Sequence, residues 1–165
     1  MPNELPDRTS DRRKSRLRDL VGVGDRIGLF VLPVAILGVA LNVAFPLLFE
    51  VAGPPAAVAA LAAILLGIGV VIWLWSVVLI LTRVPRGELI TTGPFALVKH
   101  PLYVGVSLLV LPALGVLLNT WLGIALGLVM YLATRLYAPE EERQLAERFG
   151  AAWDRYATGV RFPGL

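Results

Sequence analysis

The sequence contains no cysteine and a single histidine, His100. The absence of cysteine excludes a disulfide framework, a thiolate metal site and a cysteine nucleophile. Since the usual protein zinc sites combine several cysteine and histidine ligands, one histidine argues against a zinc or di-iron centre. We therefore expect chemistry that needs neither a metal nor a cysteine side chain of the protein.

Charge is also scarce. Charged residues make up 16% of the chain and hydrophobic residues 57%, against about 25% and about 45–50% in ordinary soluble domains. Such a chain has too few polar residues to cover a soluble core, so it is expected to be an integral, multi-pass membrane protein. The net charge is only +3, and the arginines flank apolar runs, where they favour membrane orientation over nucleic-acid binding.

Uncharged runs predict four transmembrane helices. The run 27–49 holds 23 residues, which at about 1.5 Å per residue crosses a hydrocarbon layer of about 30 Å. The run 101–134 is too long for one span, and the polar pair Asn119-Thr120 at its midpoint predicts a hairpin turn. The predicted spans are about 27–49, 56–82, 101–118 and 121–135.

The basic segments around these spans predict the orientation. They fall on one side of the membrane, which places both termini in the cytoplasm. Residues 1–20 read as a flexible basic arm, and residues 21–165 as one domain. Pro139 and three following glutamates predict a short cytoplasmic helix over 139–149. The expected fold is all-α: a polytopic membrane helical bundle of four transmembrane helices plus a short C-terminal cytoplasmic helical segment.

Several side chains that carry chemistry are predicted at this cytoplasmic end. Pro101 suits the first position of a helix, so His100 is expected at the helix cap, and Tyr103 shares its face. The glutamates from Glu140 to Glu142 are expected nearby. Each residue has a plain structural reading when taken singly, as a cap, a solvated turn or an interfacial aromatic. Together they describe a pocket with one polar wall and one apolar wall.

The order of the motifs is more specific than any single residue. It runs Gly93-Pro94-Phe95, Lys99-His100-Pro101-Leu102-Tyr103-Val104-Gly105, a helical hairpin, Glu141-Glu142-Arg143-Gln144-Leu145, Phe149-Gly150, Tyr156 and Val160-Arg161-Phe162-Pro163. This order resembles the isoprenylcysteine carboxyl methyltransferase family, which is grouped with membrane methyltransferases that use S-adenosylmethionine. The resemblance extends from about Gly87 to Pro163. Residues 1–86 match only in being two apolar spans.

The resemblance implies an S-adenosyl-L-methionine-dependent methyltransferase acting on a lipophilic or lipidated acceptor, such as a prenylcysteine-like carboxylate. It implies His100 and Arg161 as catalytic residues. The cofactor-binding residues it implies are Lys99, His100, Tyr103, Glu141, Glu142 and Tyr156. The expected partners are this acceptor and membrane lipids, with no nucleic acid and no metal. The chain departs from the family where it has Lys99 instead of arginine, Trp153 instead of tyrosine, and a short C-terminal tail.

Two other functions remain open from the sequence. One is a membrane reductase that takes hydride from a nicotinamide cofactor, and the other is a non-catalytic membrane scaffold. The methyl acceptor is also open among a carboxylate, an amine and a thiol. The methyltransferase reading depends on one geometric expectation: the imidazole of His100 and the acidic turn, about forty residues apart, must face each other across a shared cleft.

Overall fold

The regular structure of the described residues is helical. The computed structural model describes the backbone of residues 8–162 and the side chains of residues 26–162. The α-helices are α1 Arg8–Ala44, α2 Pro46–Phe49, α3 Ala56–Arg83, α4 Pro101–Gly105, α5 Leu111–Leu117, α6 Leu122–Phe149 and α7 Ala151–Gly159. The expected all-α class is confirmed. The arm expected over 1–20 lies outside the described side chains and stays a prediction.

Three helices in the described range are long and apolar enough to cross a membrane: Arg26–Ala44, Ala56–Arg86 and Leu122–Phe149. The helix Pro101–Leu117, here called the third helix, is shorter and consists of α4, a π turn at Val106–Val110 and α5. Apolar side chains such as Leu29 and Leu61 are exposed along α1 and α3. Such faces fit an integral membrane protein, while the fourth span stays a prediction.

The break expected before Pro139 is wrong. Instead of a span ending near residue 135 and a separate helix over 139–149, α6 continues through Pro139 to Phe149. A proline inside a helix removes one backbone hydrogen bond, but Ala133, Thr134 and Ala138, in the two turns before this point, are buried. Their packing stabilises the helix up to the proline. The 18 residues 122–139 carry one charge, so we take them as the spanning part of α6, and Glu140 onward lies outside it.

The other predicted bounds agree more closely with the structure. The span expected over 56–82 is α3, and the span expected over 101–118 is the third helix. The run 27–49 is interrupted at Phe45, because Pro46 starts the separate short helix α2. The turn expected at Asn119-Thr120 is confirmed, and Asn119 adopts a left-handed conformation with φ 55°.

The bundle packs in an order that differs from the chain order. The helix α1 packs on α6, α6 packs on the third helix, and the third helix packs on α3. Glycines permit the central contact, since a Cβ atom at Gly115 would lie 2.8 Å from Cα of Gly123. Close backbone approach through small residues is a common way for membrane helices to associate. This contact joins the end of the third helix to the start of α6, next to the turn at Asn119.

Candidate active site

The chain reaches the site through an irregular segment between α3 and the third helix. Gly87 (φ 76°) ends one 3-10 turn and Gly93 (φ 63°) begins another. Any side chain at Gly93 would press on the indole of Trp75, because a Cβ there would lie 3.1 Å from the ring. This compact approach delivers Lys99 and His100 to the first turn of the third helix.

His100 occupies the cap position that the sequence predicts, with Pro101 as the first helical residue. Its side chain makes no capping hydrogen bond to the helix backbone. The imidazole is buried, with 8% of the residue exposed, and it faces two carboxylates of α6 instead. The histidine therefore has a role at this position that a helix cap does not explain.

The imidazole lies between two consecutive glutamates. Nε2 of His100 is 3.4 Å from Oε1 of Glu142, and Nδ1 is 3.6 Å from Oε2 of Glu141. Lys99 Nζ donates to Oε2 of Glu142 at 2.7 Å. Four of the predicted site residues are thus brought together, and the facing of imidazole and acidic turn that the sequence reading required is present.

The two glutamates differ in their electrostatic environment. Hydrogen bonds from His100 and Lys99 hold the pKa of Glu142 below its usual value. Burial raises the pKa of Glu141, an effect that His100 only partly opposes. Oε2 of Glu141 is buried and has no hydrogen-bond partner among the described residues, because 3.6 Å exceeds hydrogen-bond length. An unsatisfied buried carboxylate costs stability and is a ready acceptor for a ligand.

Glu141 and His100 line a cavity of about 240 Å³ beneath the loop. Its apolar wall comes mainly from the end of α3 and the start of the third helix, with Ile80, Leu81, Val84 and Leu102. Leu81, on the side of α3, is 63% exposed, so the cavity meets the lipid-facing surface there. The charged residues Glu88 and Arg148 stand at another part of the wall and are exposed. The cavity therefore has an apolar border and a polar border.

Aromatic residues form the remaining wall of this cavity. Tyr156 donates its hydroxyl to the carbonyl oxygen of Phe95 at 2.9 Å, and Trp153 packs against it edge to face at 5.4 Å between ring centres. Burial raises the pKa of Tyr156 to about 12, so the phenol keeps its proton. Tyr103 lines the same cavity, with its ring 6.3 Å from that of His100. The predicted residues Tyr103 and Tyr156 are thus both present in the wall.

Arg161 is placed differently from the other predicted residues. Its side chain is exposed, lies over the ring of Phe162 and does not line this cavity. Its backbone N–H points to the carbonyl oxygen of Ala96 at 3.5 Å, and Phe162 donates to Leu97 at 2.9 Å. The end of the chain therefore holds the loop before Lys99 through its backbone.

Sequence reasoning missed part of the wall. Leu81, Glu88 and Arg148 carry no motif that would have marked them, and their participation follows from the fold. Phe95 belongs to the Gly93-Pro94-Phe95 motif, which is part of the family resemblance. Its contribution, a carbonyl oxygen that accepts from Tyr156, has no sequence signal because every residue has a carbonyl.

Comparison with models of known protein families gives a match. The sequence profile described as the isoprenylcysteine carboxyl methyltransferase family matches residues 55–147. The matched stretch covers more than half of the chain and contains α3, the third helix and both glutamates, but it ends before Tyr156 and Arg161. It also starts upstream of Gly87, where the motif resemblance begins. No curated protein and no solved structure gave a significant match.

Proposed function

Because the chain belongs to the isoprenylcysteine carboxyl methyltransferase family, we propose that it is a membrane methyltransferase that uses S-adenosylmethionine in the cavity beside His100. The observation that carries the proposal is Oε2 of Glu141, which is buried without a hydrogen-bond partner among the described residues, in the wall of a cavity that also contains aromatic side chains. When bound, S-adenosylmethionine supplies an electrophilic methyl group on a sulfonium centre.

The residues present suit that cofactor. The ammonium group and the ribose hydroxyls of S-adenosylmethionine are donors, and the acceptor that the cavity offers is Glu141. The carboxylate of S-adenosylmethionine suits Lys99 and His100, since charge-assisted hydrogen bonds are the strong ones. Tyr103 and Tyr156 add aromatic surface for an adenine ring. We assign Glu142 to holding Lys99 and His100 in place, because its oxygens are already occupied by them.

The acceptor that we propose is lipophilic, such as a prenylcysteine-like carboxylate. The apolar wall at Ile80 and Leu81 and the border at the lipid-facing surface support entry from the membrane. A carboxylate acceptor needs no base, so positioning and exclusion of water supply the catalysis. If the acceptor is an amine, His100 is the group placed to take its proton. Arg161 has no catalytic role in this proposal, since its side chain lies outside the cavity.

Binding of radiolabelled S-adenosylmethionine to the purified protein in detergent tests the proposal. Removing a charged hydrogen-bond partner costs about 1.5–3 kcal/mol, which corresponds to about tenfold or more in affinity. We expect Glu141→Gln and His100→Ala each to weaken binding by at least that factor. Glu147→Gln is the matched control, because Glu147 is exposed on the same helix and should bind as the wild type does.

Two outcomes would contradict the proposal. The first is wild-type affinity in both site variants while they remain folded by size-exclusion chromatography. The second is retention of a nicotinamide cofactor without S-adenosylmethionine, which would favour the reductase. The product identifies the class of acceptor. Methylation of a carboxylate gives a methyl ester, which releases methanol in base, and an N-methyl product does not.

A further inference from the structure

A second cavity of about 240 Å³ lies on the other side of His100, between the third helix and α6. It shares Lys99 and His100 with the first cavity but receives Glu142 in place of Glu141. Tyr131 and Arg135 of α6 line it as well. Two consecutive glutamates thus serve two different cavities, and the proposed methyl transfer uses only one of them.

This second cavity lies at the membrane-facing side of the bundle. Tyr131, Arg135 and Glu142 lie on one face of α6, since the spacings of four and seven residues return to the same side of a helix. Leu128 and Leu132, on the adjoining surface, are more than half exposed. Arg135 also carries the first charge after the apolar part of α6. The cavity is therefore at the level where hydrocarbon gives way to headgroups.

An apolar groove of about 840 Å³ adjoins this cavity. The groove follows the seam between α3 and the third helix, with Ile68, Trp75 and Leu108 among its lining residues. Val104 lines both the groove and the polar cavity. The two spaces together have a charged end at the interface and an apolar end within the membrane, which is the shape of an amphiphile.

We propose that this combined site binds one anionic phospholipid, with its phosphate in the polar cavity and an acyl chain in the groove. Lys99 and Arg135 supply two positive charges against the one negative charge of Glu142, and Tyr131 adds a hydroxyl. Basic pockets between membrane helices on the cytoplasmic side are suited to anionic lipid headgroups. Lys99 is already paired with Glu142. A lipid phosphate that binds the ammonium group of Lys99 therefore competes with the carboxylate of Glu142.

Because of this competition, substitutions of Arg135 and Glu142 should change lipid binding in opposite directions. The protein is delipidated and returned to nanodiscs containing phosphatidylglycerol or phosphatidylcholine, and retained lipid is counted by native mass spectrometry without S-adenosylmethionine. We expect the wild type to retain phosphatidylglycerol at least about fivefold better than phosphatidylcholine, a preference of about 1 kcal/mol. Arg135→Gln should abolish this preference. Glu142→Gln should strengthen it, because it removes the competing carboxylate.

Matched controls separate this site from general surface charge. Arg143→Gln removes an exposed arginine, and Glu147→Gln an exposed glutamate, from the same helix; both should keep the wild-type preference. Leu108→Trp, which places bulk in the groove, should lower phosphatidylglycerol retention even if Arg135→Gln fails to fold. Equal retention of the two lipids by the wild type, or an unchanged preference in Arg135→Gln, would overturn the proposal.

The lipid measurement is independent of the proposed enzyme function. Phosphatidylglycerol retention with no binding of S-adenosylmethionine would leave the lipid site standing and remove the methyltransferase. Transfer of a labelled methyl group onto the phosphatidylglycerol itself would make this lipid the acceptor and overturn its assignment to a separate site.

Discussion

At the scale of single residues, adjacency in sequence hides a difference in role. Glu141 and Glu142 are neighbours in α6, yet one is buried without a hydrogen-bond partner among the described residues and the other is bonded to Lys99 and His100. The carboxylate of Glu142 is stabilised by its partners in the folded protein. The carboxylate of Glu141 is destabilised by burial. The same substitution at the two positions should therefore have opposite effects.

We predict that Glu141→Gln raises the unfolding temperature at about pH 8. A raised pKa means that the folded protein binds this proton more tightly than the unfolded chain, so its contribution to stability is present in acid and lost as the pH rises. Glutamine carries no charge at any pH, so the variant avoids this loss of stability at high pH. Its higher unfolding temperature relative to the wild type should shrink towards pH 4. Thermal unfolding across this range, followed by intrinsic fluorescence, measures the difference. A gain that is the same at every pH would contradict the burial argument.

Glu142→Gln should instead lower the unfolding temperature at neutral pH. The depressed pKa of Glu142 means that its contribution is fully present above the usual glutamate value of about 4.3 and is lost below it. Weakening hydrogen bonds to charged groups costs about 1–3 kcal/mol at neutral pH. The variant and the wild type should converge only in acid. Glu147→Gln serves again as the control, and a drop of the same size in that variant would remove the special role of Glu142.

At the scale of elements, the sequence predicted the helix bounds that depend on hydropathy and missed the features that depend on packing between helices. The bounds of α3 and of the third helix, and the turn at Asn119, follow from charge-free length and a polar midpoint. The continuity of α6 through Pro139 does not, because hydropathy does not show that Thr134 and Ala138, just before the proline, are buried by tertiary packing. The pairing of His100 with the glutamates was inferred from motif order. The division of Glu141 and Glu142 between two cavities required the helix's rotation about its own axis.

The contact between α6 and the third helix depends on small residues that the sequence reading did not single out. Gly123 and Gly127 are four residues apart, a spacing typical of close helix pairs in membranes. A Cβ atom at Gly127 would collide with the carbonyl oxygen of Ser107. The spacing of the two glycines is visible in the sequence, but only the structure shows that Gly127 faces Ser107.

Gly127→Ala should therefore push α6 away from the third helix. We expect a loss of about 1–3 kcal/mol, the usual cost of overpacking, together with weaker binding of S-adenosylmethionine because the glutamates move relative to His100. Gly28→Ala is the matched control: a Cβ there meets nothing within 4 Å, and alanine is the better helix former. Thermal unfolding and cofactor binding measured on both variants decide the matter. Equal stability of the two variants would show that the backbone contact is not needed.

At the scale of the whole molecule, the two ends of the bundle differ in charge, and one of them carries the candidate site. The lysine and arginine residues of the described side chains, from Arg26 to Arg161, occur at the end that carries the candidate site. At the opposite end the loop after α2 pairs with the turn at Asn119, which donates to Glu50 at 2.9 Å and accepts from the Gly53 N–H at 2.8 Å. Phe49 stacks on Trp121 at 4.8 Å. This end joins the helices without any basic residue.

The charge asymmetry predicts which end faces the cytoplasm. Because basic residues stay on the cytoplasmic side, the end with the candidate site should face inward, where S-adenosylmethionine is available. The chain has no cysteine, so single cysteines report position without background. We expect a membrane-impermeant maleimide to label Val51→Cys in intact cells and Glu147→Cys only in inverted vesicles. The reverse pattern would place the site outside, and would leave a methyltransferase at that end without its cofactor supply.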